Sequence, residues 1–255
     1  ILARRQSLVL NGVRRADGSF ALSGSGQQST YGPLTLMLDG QISRPRLRLV
    51  FTRPNAAMAL ANVHLDLDPT LQGFDWRAQG GSRLGVFIGT GSIALPQNAP
   101  AQIQIAMMEA GGIQERGVLR PITGGLAGTI TLGGAATGTL QLDVENGLPR
   151  IRADVDARNA KLSGPTALAV QRGRFVGTIL LDPRGTAIEG QVTARNLQYG
   201  GFGVARLAGS LRMAAGQGEV RGSIAGSRGR DFDVDATVRF NSDRVTMSGR
   251  GTIDR

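Results

Sequence analysis

Residues 231 to 240 read Asp-Phe-Asp-Val-Asp-Ala-Thr-Val-Arg-Phe, so Phe232, Val234, Ala236, Val238 and Phe240 share one side of an extended chain and polar residues the other. Side chains in a strand alternate faces with a period of two, whereas a helix needs apolar positions three and four apart. The segment is therefore read as a half-covered β-strand. The same pattern places Leu140, Leu142 and Val144 opposite Gln141 and Asp143, and Ile151, Ala153 and Val155 opposite Arg152 and Asp154. A turn over Asn146-Gly147-Leu148-Pro149 is expected to join those two strands.

Earlier in the chain, strands are expected around residues 8 to 13, 19 to 23, 34 to 38, 46 to 51, 63 to 67, 84 to 95 and 102 to 107. Among them Leu47, Leu49 and Phe51, then Val63, Leu65 and Leu67, then Ile103, Ile105 and Met107, repeat the alternation. Turn signals such as Ala16-Asp17-Gly18, Leu38-Asp39-Gly40 and Asn241-Ser242-Asp243 separate them. The connections are too short for crossover helices, and the expected fold class is all-β with few or no helices. Residues 106 to 121, with Met107-Met108-Glu109-Ala110 before Gly111-Gly112, are expected to form an irregular break or a short helical turn. About fifteen strands at ~4.8 Å spacing would make an elongated sheet roughly 70 Å long.

A tripeptide of Gly, then Ser or Thr, then Ile or Leu starts at Gly91, Gly128, Gly138, Gly177, Gly209, Gly222 and Gly251. Its irregular spacing sets no solenoid period but suits related strand-turn units stacked in one direction. Gly190, Gly209, Gly222, Gly249 and Gly251 fall at or near inward strand positions, where a missing side chain permits bending or a wider channel.

Composition narrows the functional classes. Aromatic residues make up only 4% of the 255, while glycine reaches 38 residues, so ring-filled cores and the aromatic girdles of a membrane-spanning barrel are poorly supplied. The net charge is +10, yet the basic residues, all arginine except Lys161, are spread over many strands without stacking rings beside them. A nucleic-acid surface is therefore not expected. The chain has no cysteine and one histidine, His64, on the polar side of a strand. With no second His and no Gly-x-Ser-x-Gly elbow, a hydrolase triad has no basis, and Asp231-x-Asp233-x-Asp235 lacks the glycine and glutamate of a calcium loop. An enzyme, a metal and a cofactor are not expected. The opening Ile-Leu-Ala-Arg-Arg has neither an initiator Met nor a full signal peptide, and a segment of a longer chain is expected.

The stretches Val192 to Met213, with Asn196-Leu197 and Gly209-Ser210-Leu211, and Ile151 to Leu162, with Asn159, carry a grammar of strand, Asn-Leu, Gly, strand. This grammar, extending over most of residues 30 to 255, resembles the TamB family, the inner-membrane component of the translocation and assembly module. The resemblance implies one elongated, curved sheet over residues 1 to 255, a β-taco related to AsmA-like and bridge-like lipid transfer proteins, whose concave apolar face holds lipid. It also implies a periplasmic location, either phospholipid transport or a scaffold for outer-membrane protein assembly, and a TamA-type outer-membrane barrel as partner of the full-length chain, while the residues alone also admit a structural β-rod, a sandwich or a closed β-helix. On that reading, with Leu140, Leu142, Val144, Ile151 and Val155, the groove is lined by Ile179, Leu181, Leu207, Leu211 and Ile224. Phe232, Val234, Val238 and Phe240, then Val245, Met247 and Ile253, complete it.

Overall fold

Two-residue turns of left-handed backbone decide where this chain reverses. Asn146 and Gly147 have φ of 51° and 77°, Gly111 and Gly112 of 58° and 79°, and Ala215 and Gly216 of 50° and 80°. Positive φ at both central positions marks the type I′ turn, whose twist matches that of a hairpin. The Asn146 turn is thus two residues long, and Leu148 and Pro149 already belong to the next strand.

The computed structural model describes residues 7–28, 32–53, 60–82, 84–162, 168–182, 185–199, 202–227, 231–241 and 245–253. Among these there is no helix, and the fold is all-β and antiparallel, not closed into a barrel. The chain forms two compact units, Ile1–Ala110 with Arg116–Arg120, and Gly111–Glu115 with Pro121–Arg255.

In the first unit, β1 (Ser7–Arg14), β2 (Phe20–Gln28), β3 (Gly32–Gln41), β4 (Arg44–Phe51), β5 (Ala61–Pro69), β6 (Gly73–Ser82), β7 (Gly85–Ala94) and β8 (Gln102–Ala110) follow as a meander, each pairing with the next. The expected apolar positions meet across the ladder, with Leu47 opposite Leu67, Leu49 opposite Leu65 and Phe51 opposite Val63. Trp76 is buried over the glycines of β7: a Cβ at Gly91 would lie 2.7 Å from its ring. The Trp76 indole N–H donates to the Gln104 carbonyl at 3.1 Å.

Two expectations in this region are corrected. Residues 106–121 form no helical turn: β8 runs to Ala110, the Gly111-Gly112 turn follows, and β9 (Ile113–Ile122) begins at once. Two adjacent glycines in left-handed conformation complete a hairpin turn and cannot propagate a right-handed helix. The ladder also shifts register at Thr90 and Gly91, so Met108 rather than Met107 comes opposite Gly89 on the side that carries Ile105. An extra residue in one strand reverses the facing of all that follow.

The second unit carries β10 (Gly125–Gly134), β11 (Ala136–Glu145), β12 (Leu148–Leu162), β13 (Leu168–Leu180), β14 (Ala187–Tyr199), β15 (Phe202–Ala214), β16 (Gln217–Ser227), β17 (Asp231–Phe240) and β18 (Val245–Ile253). Each pairs antiparallel with its successor. Consistent alternation and short reversals leave only this order of pairing with apolar side chains on one face.

Candidate functional site, the apolar face of the second unit

Register assembles the alternating residues into rows that cross the sheet. One row runs Leu142, Ile151, Ile179, Ile188 and Met213; the next runs Ile130, Leu140, Ala153, Gly177, Gly190, Leu211, Val220 and Val238. A third carries Leu132, Gly138, Val155, Phe175, Val192, Gly209, Gly222 and Ala236, and a fourth Ala136, Ala157, Gly173, Ala194, Leu207, Ile224 and Val234. These four rows hold no charged residue. Of the expected lining, Leu140, Leu142, Ile151, Val155, Ile179, Leu207, Leu211, Ile224, Val234 and Val238 therefore fall on one face.

Val144 continues the parity of Leu142 and packs beside Gly125 and Pro149. Leu181 lies one residue past the end of β13, where its backbone N–H donates to the Pro149 carbonyl at 2.9 Å. Phe232, Phe240, Val245, Met247 and Ile253 hold ladder positions opposite Ile253, Val245, Phe240, Val238 and Phe232 respectively, and their side chains lie outside those described.

The face is incompletely covered. Its most buried members include the small Ala136, Ala153, Ala194 and Ala236, with Ile130, Leu132 and Ile224. The larger Leu140, Leu142, Ile151, Val155, Phe175, Ile179, Leu207, Leu211, Val234 and Val238 are only half-buried. No described side chain is fully buried, and no described polar or charged residue is buried. In a sandwich the facing sheet would bury such residues almost completely, because interiors pack at crystal density.

Glycines shape this face. Gly177 stands opposite Gly190 and Gly209 opposite Gly222. A Cβ at Gly190 would sit 2.5 Å from the Val176 carbonyl oxygen and 2.8 Å from the Phe175 ring; one at Gly209 would sit 2.2 Å from the Arg221 carbonyl oxygen. Neighbouring backbone and the Phe175 ring thus occupy the space a side chain would need. The tripeptides starting at Gly138, Gly177, Gly209 and Gly222 all put the glycine on the apolar side and the hydroxyl residue on the polar side. Phe175, Ile188, Val192 and Val220 belong to the same rows without having been expected there. Phe175 is in phase with Ile179, but Gly177 between them interrupts the visible alternation.

The opposite face is ionic. Arg150 is held to Asp143 at 2.7 Å and to Glu145 at 2.7 Å, Arg174 to Asp154 and Asp156 at 2.8 and 2.6 Å, and Arg212 to Glu189 at 2.7 Å. The Arg150 hydrogen bonds, more than the charge itself, hold the Asp143 carboxyl below its ordinary range. Glu219 is lowered likewise by Arg221 and Arg239. Glu115, on β9 in phase with Ile113, is shifted the other way, its carboxyl pushed up by burial. His64 sits exposed on β5. Among the described residues no group of three or more His, Cys, Asp or Glu is placed to hold a metal, and no helix is long and apolar enough to cross a membrane.

Comparison with protein-family models, with curated proteins and with solved structures finds no match.

Proposed function

We propose that this chain is a segment of a periplasmic conduit that carries phospholipid acyl chains along an apolar β-surface between the inner and outer membranes, without catalysis. The observation that carries this reading is the face of β10 to β17: rows of uncharged residues crossing the whole ladder whose larger side chains are only half-buried. An apolar surface of this extent, left unfilled by the protein's own residues, suits a hydrocarbon tail lying across it. The TamB-like grammar of strand, Asn-Leu and Gly-Ser/Thr-Leu supports the same reading, with a TamA-type barrel as partner of the full-length protein.

The energetics fit a slide. Each methylene removed from water is worth about 0.8 kcal/mol, so an acyl chain of roughly 16 carbons would cost on the order of 10 kcal/mol to cross water bare. A continuous apolar lining removes most of that barrier while leaving no single deep binding minimum. Transfer then needs no reacting group on the protein.

Native mass spectrometry of the protein purified from a Gram-negative host, paired with transfer of a fluorescent phospholipid between vesicles, tests this. The wild type is expected to carry phospholipid and to accelerate transfer. L142R and V234D are expected to lose both while keeping a β-type circular dichroism spectrum. Wild-type protein that is consistently lipid-free and inactive in transfer would point instead to a structural rod.

A further inference from the structure

On the ionic face, one cross-ladder row sets arginine against arginine with no carboxylate between them. Arg158 of β12 is paired with Arg172 of β13, Arg172 with Arg195 of β14, and Arg195 with Arg206 of β15. All four are exposed, and none of their guanidinium groups has a hydrogen bond or ion pair among the described residues. At ~4.8 Å between strands, four guanidinium groups rise from a line about 15 Å long. Like charges directly opposite one another destabilise a sheet, so folding alone gives no account of this row.

The backbone is built to present it. Asn159 and Asn196 adopt φ of 51° and 49° inside their strands, a left-handed conformation that Asn tolerates better than most residues. Each strand there exposes two successive residues: Arg158 and Asn159, Gln171 and Arg172, Arg195 and Asn196, Ala205 and Arg206. Apolar alternation then resumes one residue out of step, at Ala160, Val170, Leu197 and Val204, which again form a row. A register shift between Val204 and Arg206 ends the slip at β16. The Asn196 amide donates to the Gln171 side-chain carbonyl within this band.

We infer that the Arg158, Arg172, Arg195 and Arg206 row is a docking surface for the phosphate groups of an anionic lipid membrane. Guanidinium binds phosphate through paired N–H donors, and clustered basic residues are drawn to acidic bilayers. The residues interleaved with the arginines are Asn, Gln and Ala, so the stacking rings that hold single-stranded nucleic acid are missing from this band. The row lies on the face opposite the lipid-carrying rows, so this docking stands or falls separately from transport.

The test is co-sedimentation of the purified protein with vesicles of phosphatidylcholine alone and of phosphatidylcholine containing phosphatidylglycerol. Wild type is expected to bind the acidic vesicles and not the neutral ones, with binding weakened by salt. R172S/R195S is expected to bind acidic vesicles roughly 10- to 30-fold more weakly, with an unchanged or higher melting temperature. R212S/R239S removes the same charge from arginines that have carboxylate partners and is expected to change binding less than threefold. Equal loss in both double variants, a lowered melting temperature in R172S/R195S, or tighter binding to a single-stranded oligonucleotide than to acidic vesicles would each overturn the inference.

Discussion

Truncating Leu142 to Ala separates an open trough from a filled interior. Leu142 sits in a row between Gly128 and Ile151 and is half-buried. The substitution removes three carbons, worth about 0.8 kcal/mol each when fully buried, or ~2.4 kcal/mol in all. At most about a third of that surface faces open space in the folded chain, which reduces the loss to roughly 2 kcal/mol. On a face left partly exposed no closed cavity forms. Were the same residue locked between two sheets, the cavity would raise the cost to about 3–5 kcal/mol. Urea unfolding followed by circular dichroism reads the difference directly from the midpoint at constant slope. A loss near 2 kcal/mol is expected; a loss above 3 kcal/mol would refute the argument from partial burial.

Gly190→Ala is expected to cost about 1–3 kcal/mol, seen as a lower urea midpoint, because its Cβ would lie 2.5 Å from the Val176 carbonyl oxygen and 2.7 Å from Gly177 Cα. Gly203→Ala, where no atom lies within 4 Å, is expected to cost far less. Glu115 holds its proton more tightly folded than unfolded, because burial raises its carboxyl; it costs stability above the unfolded value of about 4.3 and none well below it. Glu115→Gln is therefore expected to raise the melting temperature at pH 7, with the gain vanishing toward pH 3. The Asp143 carboxyl, lowered by Arg150, works the other way, so Asp143→Asn should lower the melting temperature at pH 7 and lose that effect as acid protonates the wild-type carboxyl.

Much of the second unit could be read from the chain because its strands alternate cleanly: Leu140 to Val144, Ile151 to Val155 and Phe232 to Phe240 need only the period of two. β6 does not stand out in the sequence because Gly73-Phe-Asp-Trp-Arg-Ala-Gln-Gly-Gly-Ser82 offers three apolar positions and two consecutive glycines, a weak strand signal. Met107 follows the alternation of Ile103 and Ile105 in the sequence but takes the other side in the fold, because a bulge depends on the partner strand, which one segment cannot reveal. The glycine pairs and the arginine row share that difficulty. Gly177 meets Gly190, and Arg158 meets Arg172, only through register, and register follows from loop length and turn type. The slip at Asn159 and Asn196 did leave a local trace, an Arg-Asn pair interrupting the alternation, whose meaning needed the positive φ to become clear.

The central claim is that the uncharged rows of β10 to β17 contact lipid tails. Photo-crosslinking from single sites in the purified, lipid-loaded protein with no membrane present tests it most directly, with a benzophenone amino acid placed at Leu142, Val155 or Val234 on that face and at Arg152, Thr193 or Asp235 on the other. The account predicts covalent phospholipid adducts from the first three positions and none from the second three. Adducts absent from all six, or equally abundant on both faces, would contradict it.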